Sequence, residues 1–384
     1  MTTYKYFGPV CSMFGYGCLG GLGDELRIRG YKKALIVTDR AIVELGIAAK
    51  VIEVLDNTGI GHAVFADVKP NPTVANVKAG LALLRAEGCD FIVTVGGGSS
   101  HDCGKAIGIL ATNGGEVEDY RGVDKSKKKA LDIVAVNTTA GTGSECTRAY
   151  VISDEEKRTK TGIRDRNALV AIAVNDHSLM MSLPRGLTAA TGMDALVHAV
   201  ECYISKNGFL LTSQLSLAAI RCVFDWLREA VRTPSSGRAR EGMAVAEYLA
   251  GLAFGNGGVG MVHAVSHQLG ALYDLPHGLC NAILLPPVME FNKRGAEAKL
   301  AELGRFLRPL DCEGKSDSIM ADVAIEEFRN LSSDIGTLVP LGSLGVRRED
   351  FDLIAQKALA DMSLLNNPVQ PTADEIVGVL QSVY

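Results

Sequence analysis

The chain has 384 residues, 47% of them hydrophobic and 22% charged, with a formal net charge of −5. That apolar share excludes a disordered chain, and the length favours two cores over one. The acidic balance, with no basic run denser than Lys125 to Lys129 (KSKKK), speaks against a nucleic-acid partner.

Nine cysteines are scattered from Cys11 to Cys312 without a Cys-x-x-Cys pair. This spacing argues against a disulfide framework and against a thiolate metal site, and it suits a reducing cytoplasm. The first residues show no basic-then-apolar leader, and no run reaches about 18 uninterrupted apolar residues. A membrane is therefore not an expected partner.

In chain order, β-branched runs at 34–39, 62–68, 91–98, 132–139 and 168–174 alternate with helical patterns at 41–58, 74–87 and 100–111. Strand and crossover helix in alternation predict a parallel, Rossmann-like α/β sheet. The rhythm stops near Leu183-Pro184. Beyond it, apolar positions recur at three and four residues through 188–204, 212–232, 239–254, 259–272, 320–335, 349–361 and 373–383, which predicts helices only. The expected architecture is an α/β domain over 1–182 followed by an all-helical domain over 183–384. A ligand cleft is expected between them, since domain interfaces favour such sites.

Two glycine clusters compete for a nucleotide. Gly15-Tyr16-Gly17-Cys18-Leu19-Gly20 fits G-x-G-x-x-G, but Gly8 and Pro9 precede it and make a poor central strand. It reads more naturally as a turn from an edge strand into a helix. In DFIVTVGGGSSHDCGKAIG (90–108), an apolar strand runs into Gly96-Gly97-Gly98-Ser99 and then a helix. Those glycines allow close backbone approach to a pyrophosphate, and the helix N-terminus offers it N–H groups and partial positive charge. NTTAGTGSE (137–145) supplies Thr138, Thr139 and Thr142 at a second strand end. Asp39 closes the ALIVTD strand, where a carboxylate would accept ribose hydroxyls and repel a 2′-phosphate, favouring NAD over NADP.

In TGMDALVHAVE (191–201), Asp194 and His198 stand four apart, as do His263 and His267 in GMVHAVSHQLG. Residues so spaced share one helix face. His277 follows in LPHG. Three imidazoles and a carboxylate make a competent shell for a divalent transition metal, and imidazole suits iron, zinc and several others alike. His62, His101 and His177 fall outside this group and read as structural.

GGGSSHDCGKAI, NTTAGTGSE, SLPRGLTAATGMDALVHAVE and HAVSHQLGALYDLPHGLCNA resemble, in order and interval, the iron-dependent (group III) alcohol dehydrogenases. The resemblance spans essentially the whole chain and is nearest to the NAD-linked bacterial branch that includes 1,3-propanediol, methanol and iron-type ethanol dehydrogenases. It implies a dehydroquinate synthase-like fold, with an N-terminal dinucleotide-binding domain and a C-terminal helical domain. The implied activity is reversible hydride transfer between a short primary alcohol or diol and NAD, with Fe2+ or another divalent ion such as Zn2+ as metal.

Carried over by position, the resemblance implies Asp194, His198, His263 and His277 as metal ligands, His267 as a proton relay and Phe254 beside the substrate. It implies cofactor contacts from Asp39, Asn71, Gly97, Gly98, Ser99, Thr138, Thr139, Thr142, Thr147, Lys160 and Leu179, and it favours the 96–99 loop over Gly15 to Gly20. Homo-oligomers are common in the family, so one is expected. The chain departs from the family pattern at His177, Gly255, Ser266 and Ala271, none of them a ligand position.

The alternatives are a dehydroquinate synthase-like NAD- and metal-dependent lyase and a glycerol dehydrogenase-like polyol oxidation. The lyase needs a basic pocket for a phosphorylated, carboxylated substrate, and residues 254–290 hold almost no Lys or Arg.

Overall fold

The computed structural model describes residues 3–155 and 159–384. Their contacts form two compact units, one of Tyr6–Ser182 and one of Leu183–Tyr384 joined by Thr3–Lys5.

In chain order the first unit holds β1 (Cys11–Phe14), α1 (Leu22–Arg29), β2 (Lys33–Val37), α2 (Arg40–Glu44), α3 (Ile47–Asn57), β3 (Gly61–Phe65) and α4 (Val74–Glu87). It continues with β4 (Phe91–Gly96), α5 (Gly98–Asn113), β5 (Gly122–Val123), β6 (Ile133–Asn137), β7 (Ala149–Asp154), β8 (Thr159–Arg164) and β9 (Ile172–Asn175). Six strands form one sheet in the order β1-β9-β6-β4-β2-β3, and every pairing in it is parallel.

Central β4 and β6 are buried at every residue, as strands covered on both faces must be. The core beneath one face takes Leu22, Leu26, Ile36, Val51, Phe91 and Val134, all fully buried. Truncating one such leucine to alanine costs about 2–5 kcal/mol. A smaller sheet, ordered β5-β8-β7, lies apart from the main one in pairing.

The Gly15–Gly20 segment is indeed a turn out of the edge strand β1, fastened by Gly17 and Leu19 N–H groups donating to the Asp176 carboxylate. The single helix expected over 41–58 is two, because Gly46 sits at φ 72°, a left-handed conformation that stops α2 and starts α3. Thr73 opens α4 with a reciprocal cap: its hydroxyl accepts from Asn76 N–H, and Asn76 Oδ1 accepts from Thr73 N–H.

The second unit is helical: α6 (Arg185–Ile204), α7 (Leu210–Arg232), α8 (Gly237–Gly257), α9 (Met261–Tyr273), α10 (His277–Leu307), α11 (Asp317–Asp334), α12 (Phe351–Leu359) and α13 (Ala373–Ser382). Helix α6 is buried almost all round from Thr188 onward, with α7, α8 and α10 packed on it. A helix buried on nearly every side is a core helix. Helix α10 was not expected: Pro286 and Pro287 lie inside it, and Ala296 (φ −137°) kinks it. By length and mean hydropathy (1.2), α7 alone among the described residues could cross a membrane, with 33% of that stretch buried.

Candidate metal centre and nucleotide loops

The metal-suited residues come from three helices of the second unit. Helix α6 presents Asp194 and His198 one turn apart, α9 presents His263 and His267 one turn apart, and α10 begins at His277. Asp194, His263 and His277 form a group whose donor atoms all lie within 4.8 Å of one another. Asp194 Oδ1 is 3.9 Å from His263 Nε2 and 3.6 Å from His277 Nε2. His198 stands just outside that group, its Nδ1 3.9 Å from the same oxygen. Its ring stacks on Phe254 at 4.0 Å and on His263 at 4.6 Å.

Burial gives this cluster its electrostatic character. Desolvation pushes the Asp194 carboxyl up to about 7 against the hydrogen bond from Asn281 Nδ2, with the Glu201 charge adding to the rise. Burial also holds His263 well below its ordinary value, in the neutral form that can donate a lone pair. An ionised Asp194 beside the buried lone pair of His263 is a costly arrangement alone and a favourable one around a cation. The donor set therefore fits a divalent metal.

Two further carboxylates hold the α9 histidines. Glu201, two turns beyond Asp194 on α6, accepts from His263 Nδ1 at 2.6 Å, and Asp361 accepts from His267 Nδ1 at 2.8 Å. Burial would raise Asp361, yet the His267 ring and Ser363 hold it below the usual carboxylate range. His267 stays out of the three-donor group, its ring stacked on His277 at 5.4 Å.

The nucleotide candidates lie at the strand ends of the first unit. Gly96 ends β4 at φ 146°, and Gly97 caps α5. A Cβ on Gly97 would stand 2.8 Å from Thr139 Oγ1, and one on Gly98 would stand 3.1 Å from Thr142 Cγ2. The glycine loop and the 138–142 loop are thus in direct contact. Thr138 Oγ1 and Thr139 Oγ1 are buried with no hydrogen-bond partner among the described residues. Unpaired buried hydroxyls beside a helix N-terminus fit a ligand rich in acceptors, such as a pyrophosphate.

Asp39 neighbours Gly96 and caps α2, Oδ1 accepting from Ile42 N–H at 3.0 Å. Ser99 Oγ donates to Pro70 O, and Lys160 Nζ donates to Asn71 Oδ1 at 3.0 Å, drawing the KPNP loop to the same edge. Thr147 is buried just after the Ser144–Cys146 turn. Leu179, 3% exposed, sits in the core cluster beneath the sheet. Of the three histidines set aside, His101 is fully buried against Thr94 Oγ1 at 2.7 Å, His177 lies edge-on to Tyr16, and His62 faces Asp56.

Sequence reasoning missed Glu201, Asn281 and Asp361. Only Glu201 left a signal: an acidic residue seven after Asp194 on a helix otherwise apolar enough to be core. It also missed the tie between α5 and the 144–151 loop. There, buried Lys105 Nζ donates to Ser144 O and Ala149 O, while Asp102 accepts from Ser144 Oγ and Val151 N–H.

Models of iron-containing alcohol dehydrogenases match residues 9–177 and, for the family's C-terminal part, 188–384. The chain belongs to the iron-containing alcohol dehydrogenase family. It is 43% identical to 1,3-propanediol dehydrogenase of Citrobacter freundii, covering 99% of each chain. To the NAD-dependent methanol dehydrogenase of Bacillus methanolicus it is 37% identical, covering 98% of this chain and 99% of the other.

A solved 1,3-propanediol oxidoreductase superposes with a TM-score of 0.97 at 43% identity over 100% of both chains. The parallel-sheet and helical parts of this iron-containing alcohol dehydrogenase accord with that fold, and the oxidoreductase class expected from sequence accords with the family. The lyase and polyol readings are not favoured by these relatives.

Proposed function

We propose that the protein interconverts a short primary alcohol or diol and its aldehyde, with NAD as hydride carrier and iron as the metal. The supporting observation is the group of buried Asp194 and His263 with half-buried His277, their donor atoms within 4.8 Å of one another, in a chain that also carries the glycine and threonine loops. In this reading those three hold the cation, with His198 as the fourth donor. When bound, such a cation supplies Lewis acidity that lowers the pKa of a substrate hydroxyl and stabilises its oxygen.

The chain's own residues do the rest. Phe254, fixed against His198, borders the substrate carbon and restricts its size. His267, with Nδ1–H committed to Asp361, keeps Nε2 for the proton that leaves the hydroxyl and passes it to solvent. When bound, NAD would supply the acceptor for the carbinol hydride and its electron pair. Gly97, Gly98, Ser99, Thr138, Thr139, Thr142 and Thr147 align the dinucleotide, with Asn71, Lys160 and Leu179 beside them, and Asp39 accepts the adenosine ribose hydroxyls.

Nine free thiols suit a cytoplasmic home, and a homo-oligomer accords with the family. The test is NADH formation from a panel of short alcohols and diols, before and after chelator treatment and with ferrous iron restored. We expect turnover that chelation removes and iron returns. Turnover indifferent to chelation, or none with any alcohol, overturns the reading.

A further inference from the structure

Glu201 is 2% exposed, receives two backbone N–H groups and lies against the His263 ring nitrogen Nδ1. Val262 N–H reaches Oε1 at 2.6 Å, while Gly260 N–H at 2.9 Å and His263 Nδ1 at 2.6 Å reach Oε2. Met261 N–H, between the two backbone donors, goes to Asn367 Oδ1 at 3.0 Å. Three successive N–H groups at the start of α9 thus donate to side chains, two of them to a carboxyl group at the helix's positive end. Gly260 is required there, because a Cβ would stand 2.6 Å from Asn367 Oδ1 and 3.1 Å from Glu201 Oε1.

Both carboxylate oxygens are used as acceptors, so the proton in the contact with His263 belongs on Nδ1. A neutral imidazole carries one N–H, which leaves a lone pair on Nε2, the atom facing Asp194 and His277. We propose that Glu201 is a positioning residue for the metal centre: it fixes the tautomer and ring orientation of His263, so that Nε2 faces the cation ready to bind. This rests on the proposed metal-binding role of the Asp194–His263–His277 group. Helix α6 would then supply both a ligand and, two turns on, the group that orients a ligand from α9. Outer carboxylates that fix a ligating histidine raise its basicity and contribute to metal affinity.

Glutamine is the informative replacement, since it keeps the shape but offers one oxygen where three donors converge and turns an NH2 group toward the rest. The measurement is ferrous iron titrated anaerobically into chelator-treated wild-type protein and Glu201→Gln, with the melting temperature of each recorded. We expect the variant to bind iron about 10- to 100-fold more weakly. In 15N-histidine NMR its His263 ring proton should move from Nδ1 to Nε2.

A lower melting temperature with unchanged iron affinity makes Glu201 a helix cap only and overturns the proposal. No iron uptake by wild-type protein overturns the metal centre itself, and this assignment with it. Uptake by wild type that the variant matches overturns this assignment alone. Should Glu201→Gln fail to fold, the wild-type spectrum decides: the signal lost in His263→Ala must show its proton on Nδ1, and a proton on Nε2 overturns the proposal.

Discussion

The two units prepare their ligand sites by opposite means. In the helical unit, Asp194, His263 and His277 from three helices bring their donor atoms within 4.8 Å of one another beside His198, and each of Asp194, His198 and His263 is at most 5% exposed. In the sheet unit, the strand-end loop is made by leaving side chains out: Gly96 stands against Ser100, Gly97 against Thr139 and Gly98 against Thr142, with no room for a methyl group at Gly97. The first site should fail when an atom is removed and the second when one is added. Each can therefore be damaged without touching the other.

The largest effect should come from His263→Ala. Bound metal and turnover should vanish together, by more than the roughly 100-fold that an outer-shell change costs, while NAD binding persists. Metal content by plasma emission and NAD titration check both halves, and a variant active without metal would break the comparison.

Next is His267→Ala, expected to slow turnover by about 100-fold, at the low end for a proton-transfer group, with metal content intact. Loss of metal in this variant would move His267 into the ligand set.

Gly97→Ala should behave in the reverse manner. Overpacking against Thr139 costs about 1–3 kcal/mol, so KM for NAD should rise about tenfold with full metal occupancy, as steady-state kinetics will show.

The smallest expected effect is Asp39→Gly. Removing one charge near a 2′-phosphate is worth about 1 kcal/mol in water, so the NADP-to-NAD ratio of kcat/KM should rise about fivefold. Glycine costs only a few tenths of a kcal/mol as an N-cap, so the α2 cap confuses little. An unchanged ratio would leave Asp39 as a cap alone.

How much of this was legible depends on whether the signal was local. Helix α4 was read at its observed ends because Thr73 and Asn76 cap it on one side and Gly88 (φ 63°) ends it on the other. The metal-suited residues were legible because an i, i+4 spacing is a local property of one helix. Helix α10 was not, since Pro286 and Pro287 break the pattern and their tolerance depends on burial among other helices. The β7–β8 hairpin escaped because TKTGIR alternates weakly and pairs antiparallel only with β7. Asn281 and Asp361 reach the centre across 87 and 94 residues of chain, to Asp194 and His267 respectively. No sequence window contains that information.

The depth at which Asp194 and His263 lie, 3% exposed each, has a consequence for the protein's lifetime. An ion seated there would bind the folded chain and not the unfolded one, adding about 2.7 kcal/mol at a hundredfold excess over Kd. Iron supply would then set how quickly proteases clear the enzyme as well as how fast it turns over, and scarcity would thin the population before it slowed the survivors.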